Sequence, residues 1–191
     1  MTRSLEEEID VLKNEHIDFI KNNIQTYGEF YPCITVFSEL KEINEDEPDL
    51  KFGMVHIPID RKFLQDDESK DNFIKEVVPN IFKEIQKTFI PHAVLWCSEV
   101  WMRRMPKKDK ITQEDIDELY KNGEKIEAVF ITMESKNKNE TFVYEIIRNG
   151  VQVSPDGDLV DKIQLKKSNE FDHITKENIG GRFSNLFGLF K

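Results

Sequence analysis

Cysteine and long apolar runs are scarce in this chain of 191 residues. Cys33 and Cys97 each lie in a short apolar stretch, where a thiol usually packs as a small hydrophobic side chain. No apolar stretch approaches the roughly 20 residues of a membrane span. Ser4 and a run of glutamates stand where a signal peptide would have basic and then apolar residues. We therefore expect reduced thiols, no membrane partner and a cytoplasmic or virion-associated protein.

Clustered positive charge is also missing from most of the chain. The net charge is -10, which argues against a surface that wraps nucleic acid, because contacts with phosphate need clustered Lys and Arg. A basic loop is the exception. We interpret it as a solvated loop, and the alternative is a local contact with nucleic acid. Its residues include Arg103, Arg104, Lys107 and Lys108.

Catalytic and cofactor signatures are absent as well. The chain has no serine nucleophile elbow, phosphate loop or dinucleotide fingerprint. His56, His92 and His173 are scattered, and with the two cysteines they offer no paired spacing for zinc. His16 falls on the apolar face of a predicted helix, and we interpret it as a packed or hydrogen-bonded side chain and not as a ligand. The sequence therefore predicts no metal and no cofactor.

Helix and strand periodicity is what the chain does contain. A capping box at Ser4 and Glu7, followed by apolar residues every three or four positions, predicts a helix over 4–25. A second helix is predicted over 69–89, with Pro79 forcing a kink or a fresh start and Pro91 ending it. Strands are predicted over 31–40, 50–59, 93–102, 125–134, 140–148, 151–154 and 159–165, and a short helix from Thr112 to Gly123.

The turn signals predict how these strands connect. Asn149-Gly150 is typical of a two-residue hairpin, and Pro155-Asp156-Gly157 is a good turn. The strands after residue 124 should therefore be consecutive and antiparallel. We predict a single α+β domain over 1–165, with an antiparallel sheet and both long helices on one face.

The C-terminus is unusually apolar. A polar linker over 166–181, which ends in a Gly-Gly hinge, precedes an apolar tail over 182–191. Such a tail either folds back on its own domain or docks on something else. Its predicted docking residues are Phe183, Leu186, Phe187, Leu189 and Phe190.

One strand carries the most distinctive residues of the chain. Ser98-Glu99-Val100-Trp101-Met102, followed by the basic loop and a strand that ends in Glu134, resembles small uncharacterised bacterial and phage proteins with a Ser-Glu-Ala-Trp strand. The likeness covers residues 92–135, with Val100 in place of the Ala, and it implies no activity. Glu99 and Trp101 share one strand face and form a candidate sheet-face site. A carboxylate there needs a partner, or its pKa rises.

The function that these features favour is a non-enzymatic interaction or assembly module of bacterial or phage origin. It would dock through its C-terminal tail on a protein partner or on a second copy. The alternative is a metal-dependent nuclease, because Glu134 and Lys136 have the Glu-x-Lys spacing of such enzymes and Asp60 would be the upstream aspartate. If the chain is not a nuclease, we interpret Glu134 as the solvent-facing end of a strand.

Overall fold

An antiparallel sheet organises the protein in the computed structural model, which describes residues 4–42, 51–103, 112–168 and 186–190. Within these residues the sheet has six strands, and each neighbouring pair is antiparallel. They are β1 (Cys33–Leu40), β2 (Phe52–Pro58), β3 (Phe89–Arg103), β4 (Lys125–Ser135), β5 (Asn139–Val153) and β6 (Leu159–Lys167). The spatial order is β2-β1-β3-β4-β5-β6. The predicted α+β class is therefore confirmed.

The first helix, α1 (Leu5–Tyr27), has the predicted capping box. The Ser4 hydroxyl accepts the Glu7 N–H, and the Glu7 carboxylate accepts the Ser4 N–H at 2.8 Å. The helix ends at Gly28, whose φ of 68° lies in the left-handed region. A Cβ at Gly28 would come within 2.9 Å of the backbone of Asp161 in β6, so both the turn and this close approach require glycine.

The second helical segment does not start afresh at Pro79, because the backbone stays helical over residues 67–88 with a π-helical stretch before Pro79. It comprises α2 (Asp67–Asn72), a π-helical stretch (Phe73–Val77) and α3 (Val78–Thr88). Pro79 lies directly after the π-helical stretch, a local irregularity of the kind that accompanies a missing helical N–H. The prediction that Pro91 ends the helix is wrong. The helix ends at Thr88, and Pro91 lies within β3 next to a register irregularity that tolerates the missing donor.

The predicted hairpin at Asn149-Gly150 is also wrong. β5 continues through both residues, and its pairing with β6 shifts between Arg148 and Val151. The dipeptide forms a bulge, because the positive φ that Gly150 adopts, 93°, suits a bulge as well as a tight turn. The chain reverses at the predicted Pro155-Asp156-Gly157 turn, where the Gly157 N–H donates to the Ser154 carbonyl at 2.9 Å.

The predicted short helix is present as α4 (Gln113–Asn122), and its N-terminus has a second capping box. The Thr112 hydroxyl accepts the Asp115 N–H, and the Asp115 carboxylate accepts the Thr112 N–H at 3.0 Å. The Gly123 N–H donates to the Leu119 carbonyl. Among the described residues, no helix combines the length and the apolar character that crossing a membrane would need.

The two long helical segments lie on opposite faces of the sheet, which corrects the prediction that they share one. α1 covers a face that includes Phe37, Leu95 and Ile131. α3 and the π-helical stretch cover the other face, which includes Val36 and Trp96. The reason is that the first six residues of β1 are all buried, so both faces of the sheet are apolar and both need cover.

Candidate functional site

A histidine, a cysteine and a second histidine from three different elements meet at one side of the sheet. His16 comes from α1, Cys33 from β1 and His56 from the edge strand β2. One ligand atom from each residue lies within 4.8 Å of the other two. His16 and Cys33 are buried, whereas His56 is exposed. We call these three residues the His-Cys-His cluster.

The fold brings them together through helix periodicity and strand register. His16 lies on the buried face of α1, one turn before Ile20, so its ring points at the sheet. Thr35 is opposite His56 in the pairing of β1 with β2. Cys33 and Thr35 are two residues apart and therefore share the sheet face beneath α1. The cluster thus needs α1, β1 and β2 all in place.

Thr35 orients the two imidazole rings. Its Oγ1 lies 2.7 Å from Nε2 of His16 and 3.1 Å from Nδ1 of His56. A hydroxyl has one hydrogen and two lone pairs, so it can donate to one ring and accept from the other, or accept an N–H from both. In the second arrangement, the remaining nitrogen of each ring is available to a metal ion.

Cys33 has a second thiol as its direct neighbour. Cys33 and Cys97 are register partners in the pairing of β1 with β3. Interaction with the Cys97 thiol lowers the pKa of Cys33, with a further lowering by His16. Burial, together with this same interaction, raises the pKa of Cys97. The two shifts have opposite directions, so Cys33 is the more acidic thiol of the pair.

A cavity of about 340 Å³ lies beside the cluster. Cys33 and His56 contribute to its wall. Three aromatic side chains of the lining are exposed, namely Phe19 at 54%, Tyr27 at 39% and Tyr31 at 63%. The volume is within the range of small-molecule sites, and the combination of an apolar lining with a few convergent polar groups is typical of them. A small molecule in this cavity would contact Cys33 and His56.

The predicted sheet-face residues lie farther along the same face of β3. Trp101 is 66% exposed, whereas Trp96 is buried on the opposite face. Burial and the neighbouring Glu127 carboxyl raise the pKa of Glu99. Arg148 Nε donates a hydrogen bond to Glu127 Oε2 at 2.9 Å, and this bond lowers the pKa of Glu127. Glu99 thus has a carboxyl as its close neighbour, and the guanidinium binds Glu127.

The structure does not bring the predicted nuclease residues together. Asp60 caps a short 3₁₀ turn (Arg61–Leu64), accepting the Lys62 N–H at 3.0 Å, and it follows β2. Glu134 lies on β4, and β1 and β3 separate these two strands. Lys136 follows β4 and lines a different cavity, next to the start of α1. The interpretation of Glu134 as solvent-facing is wrong, because this carboxyl is only 4% exposed.

The described part of the tail, residues 186–190, packs against the α3 face. Leu186 is buried at 2% exposure, and Phe190 stacks on Phe82 with ring centroids 4.0 Å apart. Phe187 donates its N–H to Glu134 Oε2 at 3.1 Å, and Leu189 packs at the same core. Phe183 and residues 169–181 of the predicted linker lie outside the described residues.

The basic loop is described only at its start. Arg103 ends β3, and its guanidinium donates to the Leu119 carbonyl of α4 at 2.7 Å. Arg104, Lys107 and Lys108 lie outside the described residues. The predicted local contact with nucleic acid therefore stays a prediction.

Comparison of the chain with protein-family models, with curated proteins and with solved structures found no match. The case for a function therefore depends on the geometry of this protein alone.

Sequence reasoning missed the His-Cys-His cluster because its members are far apart in the chain and belong to three elements. Zinc motifs are usually read from paired ligands at short spacing, and no such pair occurs here. Two weaker signals were present. His16 interrupts the apolar face of a helix, and His56 lies in an otherwise apolar strand. A buried imidazole needs a polar partner, so each histidine indicated a polar neighbour without identifying it.

Proposed function

We propose that this chain binds a divalent metal ion of the zinc class through His16, Cys33 and His56. The observation that carries the proposal is the convergence of their three ligand atoms within 4.8 Å of one another. In a tetrahedral zinc site the bonds are about 2.0–2.3 Å long, which places neighbouring ligand atoms about 3.5 Å apart. Side-chain movements of about an ångström would therefore complete the geometry.

The ligand chemistry favours zinc over the hard cations. A cysteine thiolate and two imidazoles are soft or borderline ligands, which suit zinc. Calcium and magnesium need several oxygen ligands, and the cluster supplies only sulfur and nitrogen. Thr35 would support the site from behind, because a hydrogen bond to the second ring nitrogen orients a metal-binding histidine.

Three protein ligands leave one coordination position for a water molecule or an exogenous ligand. Structural zinc sites usually have four protein ligands, whereas sites that act on a bound molecule usually have three. Cys33 and His56 both line the 340 Å³ cavity, so that position would be reached from it. The proposal thus describes a metal site open to small molecules.

Zinc binding to the full-length chain tests this proposal. The metal-free protein is titrated with zinc in competition with a chromophoric chelator, and its melting temperature is recorded. A ligand that binds the folded state at 100 times its Kd contributes about 2.7 kcal/mol. For a chain of this size, that corresponds to a rise of about 5–10 °C in the melting temperature. We expect one zinc ion per chain.

His56→Ala and His92→Ala form a matched pair of variants. Both histidines lie on strands, but the His92 Nε2 faces the Glu39 carboxylate at 3.4 Å and not the cluster. We expect His56→Ala to lose zinc binding and the thermal shift, and His92→Ala to retain both. Equal zinc affinity in the wild type and His56→Ala would contradict the proposal.

We also propose, as a second function, that the apolar tail docks on a protein partner or on a second copy of the chain. The observation that favours it is the form of the receiving surface. Phe82 offers a ring for stacking, and Glu134 offers a buried carboxylate to a backbone N–H. Such a surface binds an apolar, phenylalanine-containing segment regardless of which chain supplies it. Deletion of the tail, with stability, mass in solution and binding as readouts, tests this function.

A further inference from the structure

Cys33 and Cys97 are placed so that they can be joined. They are direct register partners on neighbouring antiparallel strands, and both side chains belong to the core beneath α1. Partners in such a pair have Cα atoms about 4.5–5.5 Å apart. A disulfide accepts Cα separations of about 4.4–6.8 Å. The register pairing and the shared core therefore place the two side chains within reach of a disulfide.

The two thiols differ in what can reach them. Cys33 lines the cavity beside the cluster, so a small reagent in that cavity contacts this residue. Cys97 is fully buried and is not part of the cavity wall. Cys33 is therefore the residue that reacts first with an external reagent, and Cys97 is the residue positioned to complete the reaction from the protein side.

We propose that Cys33 and Cys97 form a reversible cross-strand disulfide by exchange with a small-molecule disulfide. The consequence for metal binding rests on the proposed function, because forming this bond removes Cys33 from the ligand set. A sulfur in a disulfide carries no thiolate charge and is a poor metal ligand. Oxidation would therefore release the metal, and bound metal would in turn protect Cys33 from oxidation.

The exchange balances in two steps. The Cys33 thiolate attacks one sulfur of the reagent, whose S–S bond breaks, and one reagent thiolate leaves. Cys97 then gives its proton to that thiolate and attacks the Cys33 sulfur of the mixed disulfide, and the second reagent thiolate leaves and is protonated from solvent. Each cysteine sulfur loses one electron, and the reagent disulfide gains two and becomes two thiols.

Incubation of the metal-free, full-length chain with glutathione disulfide tests the pairing. We expect the intact mass to fall by the mass of two hydrogen atoms, free thiols to disappear, and peptide mapping to join the Cys33 and Cys97 peptides. Cys97→Ser should stop at a stable glutathione adduct on Cys33, and Cys33→Ser should not react while it remains folded by circular dichroism. The wild-type result decides the question even if a variant fails to fold.

The outcome that would overturn the proposal is a folded wild-type chain that keeps both thiols, or stops at the glutathione adduct, while the same chain in urea is oxidised.

Zinc-loaded protein then separates this inference from the proposed function. Oxidation should release zinc to a fluorescent chelator, and excess zinc should slow the loss of thiols. Pairing in a chain that binds no zinc would refute the proposed function alone. Zinc binding in a chain whose thiols never pair would refute this inference alone.

Discussion

Thr35 is the residue on which the order of the cluster depends. It is fully buried, and its hydroxyl is hydrogen-bonded to both histidine rings. Thr132 on β4 is buried to a similar extent, but its hydroxyl has no hydrogen-bond partner among the described residues. The two threonines therefore provide a comparison between a hydroxyl that orients other groups and one that does not.

Thr35→Val should destabilise the protein, because it keeps the shape of the side chain but removes the hydrogen-bond partner of the buried His16 ring. We expect a loss of about 1–3 kcal/mol in the free energy of unfolding. Zinc affinity should fall by about 10–100-fold, as for other residues that orient a metal ligand. Urea denaturation and the chelator competition measure the two effects. Thr132→Val is the control and should be neutral or stabilising. Equal effects of the two substitutions would show that Thr35 has no special role.

Glu99 should make stability depend on pH. Its pKa is raised in the folded state by burial and by Glu127, so folding favours the protonated form. The wild type therefore loses stability as pH rises through the folded-state pKa of Glu99. Glu99→Gln cannot ionise and should match the wild type at acidic pH but exceed its stability at neutral pH. Urea unfolding across this pH range measures the difference, with Glu124→Gln on an exposed turn as the control. A difference that does not change with pH would contradict the assignment.

The tail is the element whose role is decided by packing and not by its own sequence. Residues 186–190 include only a single 3₁₀ turn (Phe187–Leu189), and a segment this short is not stable as a helix in water. Its order in the structure comes from Phe82, Glu134 and the rest of the α3 face. Loss of the tail would expose that face and remove the Phe187 N–H from the buried Glu134 carboxyl.

Deletion of residues 186–191 should lower the free energy of unfolding if the tail acts within its own chain. Removing the buried Leu186 and the packing of Phe190 on Phe82 should cost about 3–6 kcal/mol. Urea unfolding measures this loss, and light scattering measures the mass in solution. If the tail acts between chains, the monomer should remain stable and self-association or partner binding should be lost. No change in stability, mass or binding would contradict both roles of the tail.

The accuracy of the sequence predictions also differs between elements. Local signals identified α1 through its capping box and placed the turn at Pro155-Asp156-Gly157. They failed where one pattern fits two structures, as Asn149-Gly150 suits both a hairpin and a bulge. Periodicity identified the long helices but not the face that each covers, because β1 is apolar on both sides. The cluster required the pairing of β1 with β2 and β3, which no local pattern contains.

At the scale of the whole molecule, the two faces of the sheet have different chemistry. The α3 face packs against the tail and is mainly apolar, and its buried Glu134 carboxylate accepts the Phe187 N–H. The α1 face carries the His-Cys-His cluster, the cavity and, farther along β3, Glu99. Because α1 and three neighbouring strands jointly fix the cluster and its second thiol, metal binding should stabilise the fold as a unit.

X-ray absorption at the zinc edge of the zinc-loaded protein tests the central claim most directly, because it reports the atoms bound to the metal. The account predicts one sulfur at about 2.3 Å and two imidazole nitrogens at about 2.0–2.1 Å, with one further light atom. Cys33→Ser should remove the sulfur contribution and His56→Ala one imidazole, whereas His92→Ala should leave the spectrum unchanged. A coordination shell of oxygen atoms alone, or one that is identical in the wild type and Cys33→Ser, would contradict the account.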